Sequence, residues 1–281
     1  MKEFKDKVAV ITGAANGIGF GIAERCAQLG MKVVLAGINA ENLAAAEEKL
    51  KSIGAALLSV QTDVSKREDI ETLAQKTLYT FGAVDLLVNN AGVAAGSSVW
   101  DSTWEEWEWV MNVNLWGVVN GVKIFTPVMV AQNTEAHIVN VASVAGLLPD
   151  HPCAPYQVTK HAVVSLTENL YYSLAEQNSK VKVSVLCPGW VKTGILAAER
   201  NRPPELKNKP GSVADKGKRV ESYREMQEAM EKGMSVQELT GLLFQAIEQD
   251  QLYVLSHPDV TAYIQERMDN ILLQRNPSLA K

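Results

Sequence analysis

Cysteine is scarce in this 281-residue chain: Cys26, Cys153 and Cys187 are widely spaced and form no CxxC or Cys/His cluster. Thiols so placed indicate neither a disulfide framework nor a zinc site, so no metal is expected and a reducing cytoplasm fits. Positive charge is not in excess either, with 27 Lys and Arg against 32 Asp and Glu, a formal net charge of -5. Without a basic field, nucleic acid and anionic membrane are excluded as expected partners. No apolar run approaches the roughly 18 to 20 residues of a spanning helix. The start, Met1 to Lys7, alternates charges where a signal peptide would be apolar. These absences predict a soluble, cytoplasmic protein whose ligands are small molecules.

What is present is a regular alternation. Apolar residues make up 47% of the chain, ample for one shared core. From Val8 onward, short β-branched runs alternate with amphipathic stretches: strand Val8 to Ile11, helix Ile18 to Leu29, strand Lys32 to Ala36, helix Ala40 to Ile53, strand Ala56 to Gln61. The rhythm continues with helix Arg67 to Phe81, strand Val84 to Asn89, a long helix from about Trp104 to Gln132, strand His137 to Ser143, helix Tyr156 to Gln177 and strand Lys182 to Leu186. The order predicts an α/β fold in one domain over residues 1–281, a Rossmann-like, doubly wound parallel sheet with helices on both faces. Residues 194–232, rich in proline and charge, interrupt it and are expected to be a substrate lid, with a surface excursion as the alternative. Helix Ser235 to Gln249, strand Leu252 to Leu255 and a polar helical extension over 256–281 follow, the last either a subunit contact or solvated.

Between the first strand and helix lies Thr12-Gly13-Ala14-Ala15-Asn16-Gly17-Ile18-Gly19. Three glycines allow a sharp turn beneath a phosphate, and the helix beginning near Gly17 offers unpaired N–H groups to a pyrophosphate. The second strand ends at Gly37, where dinucleotide folds place an acid against the adenosine ribose. With no carboxylate there to repel a 2′-phosphate, the reading leans toward NADP(H) over NAD(H), although no Arg follows to bind that phosphate.

Tyr156 and Lys160 stand at i and i+4 of one helix, hence on one face. An ammonium beside a phenol is expected to lower the tyrosine pKa and equip it for proton transfer. Asn90, Ala91 and Gly92 follow one strand, Ser143 closes the next and Asn114 lies in the helix between, so all point to the crevice beyond the strand ends.

Taken together, TGxxxGIG at Thr12 to Gly19, Asp63, NNAG at Asn89 to Gly92, Asn114, Ser143, YxxxK and Pro188-Gly189 resemble the short-chain dehydrogenase/reductase family in its compact single-domain branch, over about Val8 to Thr193. The resemblance implies an NAD(P)-dependent oxidoreductase acting on a secondary alcohol or ketone. It implies catalytic roles for Asn114 (a water-linked proton relay), Ser143 (holding the substrate oxygen), Tyr156 (exchanging the proton) and Lys160 (binding the nicotinamide ribose). Coenzyme contacts are implied for Gly13, Asn16, Gly17, Ile18, Gly19, Gly37, Asp63, Val64, Asn90, Ala91, Gly92, Pro188, Gly189, Val191 and Thr193, besides Tyr156 and Lys160. Trp190, with Ser143 and Tyr156, is expected against the substrate. A homodimer or homotetramer is implied by resemblance only.

Leu147, Leu148, Trp190, Ile195 and Leu196 border the expected pocket and suggest a fairly large or hydrophobic substrate. His151 and Cys153 are either pocket lining or exposed loop. Trp100, Trp104, Trp107 and Trp109 are expected to pack in the core, with ligand contact as the alternative. Two other functions are compatible with parts of the pattern: a nucleotide-sugar epimerase or dehydratase, and a non-catalytic cofactor-binding protein of the same fold.

Overall fold

The computed structural model describes residues 1–148, 153–209, 211–212 and 216–277. Among these, parallel strands β1 (Val8–Thr12), β2 (Lys32–Gly37), β3 (Leu57–Gln61), β4 (Leu86–Asn89), β5 (Ala136–Val141), β6 (Val181–Cys187) and β7 (Tyr253–Leu255) form one sheet in the order β3-β2-β1-β4-β5-β6-β7. The order reverses between β1 and β4, which opens the crevice at their carboxyl ends.

The central strands are buried on both faces, and their period-two alternation feeds two cores. From β1, Ala9 and Ile11 join Ile22 and Cys26 of α1 (Gly17–Gln28) and Leu243 and Phe244 of α8 (Val236–Glu248). Val8 and Val10 turn to the other face, toward Ile70 and Leu73 of α3 (Arg67–Phe81) and Phe125 and Met129 of α5 (Gly117–Gln132). The remaining helices are α2 (Ala40–Lys51), α4 (Trp104–Met111), α6 (Ala154–Glu176), α7 (Lys216–Glu231) and α9 (Val260–Leu272).

The long helix expected over 104–132 is continuous, but a π-helical segment, Asn112–Trp116, joins α4 to α5. By length and composition alone this 29-residue stretch could cross a membrane, which corrects the expectation that no apolar run approaches that length. Here it is a domain helix: it packs on α3 and β4, and it buries Glu106 and Asn114 against protein partners. The tryptophan expectation needs correction, because Trp100 and Trp104 are 84% and 86% exposed while Trp109 is 2% exposed. Trp107 is half-buried, and of the four only Trp109 belongs to a buried cluster, with Val93, Val110 and Ala198. The C-terminal α9 buries none of its residues.

Candidate active site

One cavity runs along the carboxyl edge of the sheet, from Gly37, Asn39 and Asp63 past the start of α1 to Ser143, Tyr156 and Lys160. Its first wall is the glycine turn. Gly13 has φ +64°, and a Cβ there would stand 2.9 Å from both the Ala91 Cα and the Asn90 Nδ2. A Cβ at Gly19 would collide with the Asn90 amide and the Gly13 carbonyl, so only glycine lets α1 approach β1 and β4 this closely. Asn90 holds the two strand ends together, its Nδ2 donating to the Thr12 carbonyl at 2.8 Å and its N–H to Thr12 Oγ1 at 2.9 Å.

At the start of α1, Asn16 makes no side-chain cap, whereas Asn39, Thr103 and Ser235 cap α2, α4 and α8 with their side chains. Gly17 and Ile18 line the cavity, so uncapped N–H groups and the positive helix end face it. That is the donor set a dinucleotide pyrophosphate requires. Val64, Ala91, Gly92, Pro188, Gly189, Val191 and Thr193 also line the cavity. The Asp63 carboxylate accepts from the Ser65 N–H and hydroxyl at 3.1 and 2.7 Å, which fixes its orientation.

At the other end, Ser143 Oγ donates to the Pro188 carbonyl at 3.3 Å, accepts from the Ala145 N–H at 3.2 Å, and hydrogen-bonds the Tyr156 side chain. Lys160 Nζ donates to the Val141 carbonyl at 2.8 Å and lies 5.4 Å from the Tyr156 ring centroid. The helical spacing thus brings phenol and ammonium onto one face as expected. The expected depression of the tyrosine pKa is corrected: burial raises Tyr156 to about 12, opposed by the Ser143 hydrogen bond, and burial lowers Lys160 to about 8. Withdrawing water disfavours phenolate and ammonium alike, and this outweighs what the spacing alone supplies.

Asn114 falls within the π-helical segment, a feature common at functional sites. Its Oδ1 accepts from the Val93 N–H at 2.8 Å, and its Nδ2 donates to the Val93 carbonyl at 2.9 Å and Thr159 Oγ1 at 3.3 Å. With its amide so committed, the side chain fixes the strand-end loop behind Tyr156. Gly189 is pinned from the far side, its N–H donating to His257 Nδ1 at 3.2 Å.

Leu148, Trp190, Ile195 and Leu196 line the cavity as expected. Leu147 does not, packing instead with Val163 and Val164 of α6. Cys153 is 6% exposed, neither exposed loop nor cavity wall, and His151 lies outside the described residues. The segment after β6 contributes Ala198, Arg200, Pro203, Leu206, Met226 and Met230 to the wall. Met226 and Met230 stand at i and i+4 of α7, a spacing the sequence displays but its surrounding charges conceal.

Behind this wall is a polar cluster that sequence reasoning missed. Glu106 of α4, 2% exposed, accepts from Arg219 Nη1 at 2.7 Å and Asn208 Nδ2 at 2.9 Å. Asn208 Oδ1 accepts from the Thr103 hydroxyl at 2.7 Å and Arg202 Nη2 at 3.0 Å. Among the described residues, no cluster of His, Cys, Asp and Glu could hold a metal.

Comparison with known proteins places this geometry. The family model described as short chain dehydrogenase matches residues 7–204. Over 279 residues the chain is 33% identical to the CLA biosynthesis dehydrogenase/reductase of Lactiplantibacillus plantarum, covering 99% of this chain and 98% of that protein. It is 32% identical over 273 residues to the C alpha-dehydrogenase of a Sphingobium strain, covering 97% and 87% respectively. A crystal structure of a short chain dehydrogenase/reductase from Burkholderia phymatum in complex with NAD superposes with a TM-score of 0.96 at 44% identity, covering 100% of this chain and 99% of that one.

Proposed function

The chain belongs to the short chain dehydrogenase family, and from that premise we propose that it oxidises a secondary alcohol or reduces the matching ketone, the substrate being fairly large or hydrophobic. The observation that carries this reading is the convergence of Ser143, Tyr156 and Lys160 in one cavity with the glycine turn and the uncapped start of α1. A bound nicotinamide coenzyme supplies or accepts the hydride. The Ser143 and Tyr156 hydroxyls, held in advance, stabilise negative charge as it grows on the carbonyl oxygen. Tyr156 gives that oxygen its proton, and Lys160 beside it offers the ammonium that restrains the phenolate left behind. Trp190, Ile195, Leu196, Met226 and Met230 supply an apolar wall for the rest of the substrate.

The coenzyme reading favours NAD(H). Gly37 leaves the 2′ position unopposed, but the adenosine end of the cavity is lined by Gly37, Ile38, Asn39, Asn42, Asp63 and Ser65, without a lysine or arginine. A 2′-phosphate there would meet the Asp63 carboxylate, whose nearest cation, Lys66 at 3.7 Å, is already paired with it and does not line the cavity. The similar Burkholderia phymatum protein was solved with NAD. A homodimer or homotetramer is supported by the exposed aromatics Trp104 and Trp116, with Tyr171 and Tyr172 on α6.

Absorbance of the reduced nicotinamide, followed while the protein meets NADH or NADPH with a panel of aromatic and alicyclic ketones, tests the activity. Turnover is expected with NADH, and Tyr156→Phe should remove about 10²–10⁴-fold of it. Turnover of the same size in Tyr156→Phe would refute the assignment.

A further inference from the structure

Trp109 is 2% exposed and nevertheless forms part of the cavity wall. Its indole belongs to an apolar cluster with Val93, Val110 and Ala198, against which Tyr156 and Leu206 pack. The ring therefore stands beside the proton-transferring tyrosine, between α4 and the segment that follows β6.

On the ring lies a charge. The Arg202 guanidinium sits 5.1 Å from the indole centroid, and its side chain is 1% exposed. Arg202 is held by Glu199 Oε1 and Asn208 Oδ1, each at 3.0 Å, and Asn208 is anchored in turn on Glu106 and Thr103. Its Nε has no hydrogen-bond partner among the described residues. A cation on an indole face is favourable, more so when water is excluded. Trp109 is consequently fixed in place, and Arg202 itself does not line the cavity.

We propose that Trp109, backed by Arg202, is a specificity-determining residue: it bounds the substrate side of the cavity and keeps the buried cation away from the substrate. This rests on the oxidoreductase reading and adds what limits the substrate. The wild-type enzyme accepts ketones that end short of the indole and discriminates against longer homologues. Hydrophobic pockets discriminate by about tenfold or more for one misplaced methylene. Shortening Trp109 lengthens the cavity toward the Arg202–Glu199 pair behind it.

The experiment uses purified full-length protein, NADH and a homologous series of methyl ketones lengthened one carbon at a time. Expected for the wild type is a kcat/KM that falls at least about tenfold beyond one chain length. In Trp109→Ala the fall should move to longer ketones, with Trp109→Phe between. Trp109→Phe retains an aromatic ring in the cluster, so it decides the question even if Trp109→Ala does not fold. An unchanged cut-off in both Trp109 variants, with turnover still dependent on Tyr156, overturns this inference alone. Absence of Tyr156-dependent turnover in the wild type overturns the oxidoreductase reading, and this inference with it.

Discussion

Replacing Glu106 by glutamine should destabilise the protein by ~2–3 kcal/mol near neutral pH and loosen the segment after β6 that contributes to the cavity wall. The carboxylate accepts from Arg219 at 2.7 and 3.2 Å, from Asn208 Nδ2 at 2.9 Å and from the Thr103 N–H at 2.9 Å. Burial alone would raise its pKa, but the hydrogen bonds from Arg219, Asn208 and Thr103, with the Arg219 charge, outweigh burial and hold it below 4.5. Glutamine keeps the size and one acceptor, presents an NH₂ to the guanidinium and leaves a buried cation uncompensated. Breaking a buried pair from one side costs about 3–5 kcal/mol. Because the Arg219 side chain is 18% exposed, water recovers part of that, which brings the expected figure just below that range. The folded pKa lies below the unfolded one, so the stabilisation is complete above the unfolded value and is lost as pH falls through the folded one. Urea denaturation of wild type and Glu106→Gln at about pH 7 should therefore show the full gap, and a series toward about pH 3.5 should show it closing. Limited proteolysis within 194–232 should quicken in the variant at neutral pH. A gap below ~0.5 kcal/mol at neutral pH would mean that the pair contributes no more than an exposed one, and the argument from burial would be wrong.

Three further outcomes are expected. Ile38→Arg places a guanidinium at a 41% exposed position of the cavity wall without removing the Asn39 cap of α2, and should raise kcat/KM for NADPH by about tenfold or more; no gain would refute the counter-charge argument. With Lys160 lowered to about 8 by burial, kcat/KM for coenzyme should fall above about pH 8 as the ammonium is lost, and a profile flat to about pH 10 would contradict the assignment. His137 is buried in β5 with Nε2 2.8 Å from Ser184 Oγ, and burial lowers its pKa from 6.5 to about 3. Since the unfolded chain takes the proton first, His137 should remove ~2 kcal/mol of stability by about pH 5, and His137→Gln should flatten the acid slope by that amount; equal slopes would refute it.

The sheet and the coenzyme end of the cavity were legible because their determinants are local. The β-branched runs of β1, β2 and β5 announce buried parallel strands, and the glycines at 13, 17 and 19 satisfy a steric demand within one βα unit. Tyr156 and Lys160 share a helix face by spacing alone. Their pKa values were not legible, because they follow from how much water the folded chain withdraws. Asn112–Trp116 was likewise invisible as a π-helix, since apolar periodicity over 104–132 predicts only that a helix exists.

The cluster behind Trp109 escaped the sequence for a different reason. Thr103 and Glu106 do carry a local sign, the Ser/Thr-x-x-Glu capping pattern, and both halves of that capping box form. Read locally, the pattern assigns Glu106 to the helix end and exhausts its meaning there. In the fold the same carboxylate also receives Arg219 from 113 residues away, out of a stretch whose many charges suggest a solvated face. Within that stretch one arginine is turned inward while Met226 and Met230 line the cavity, so α7 supplies both a buried ion-pair partner and part of the wall. Charge density in such a segment is therefore a poor guide to its exposure, and the distinguishing signal is a buried partner elsewhere in the chain. If Arg219→Gln proved as costly as Glu106→Gln and the double variant no worse than either, the pair would be acting as one unit, as a shared buried contact requires.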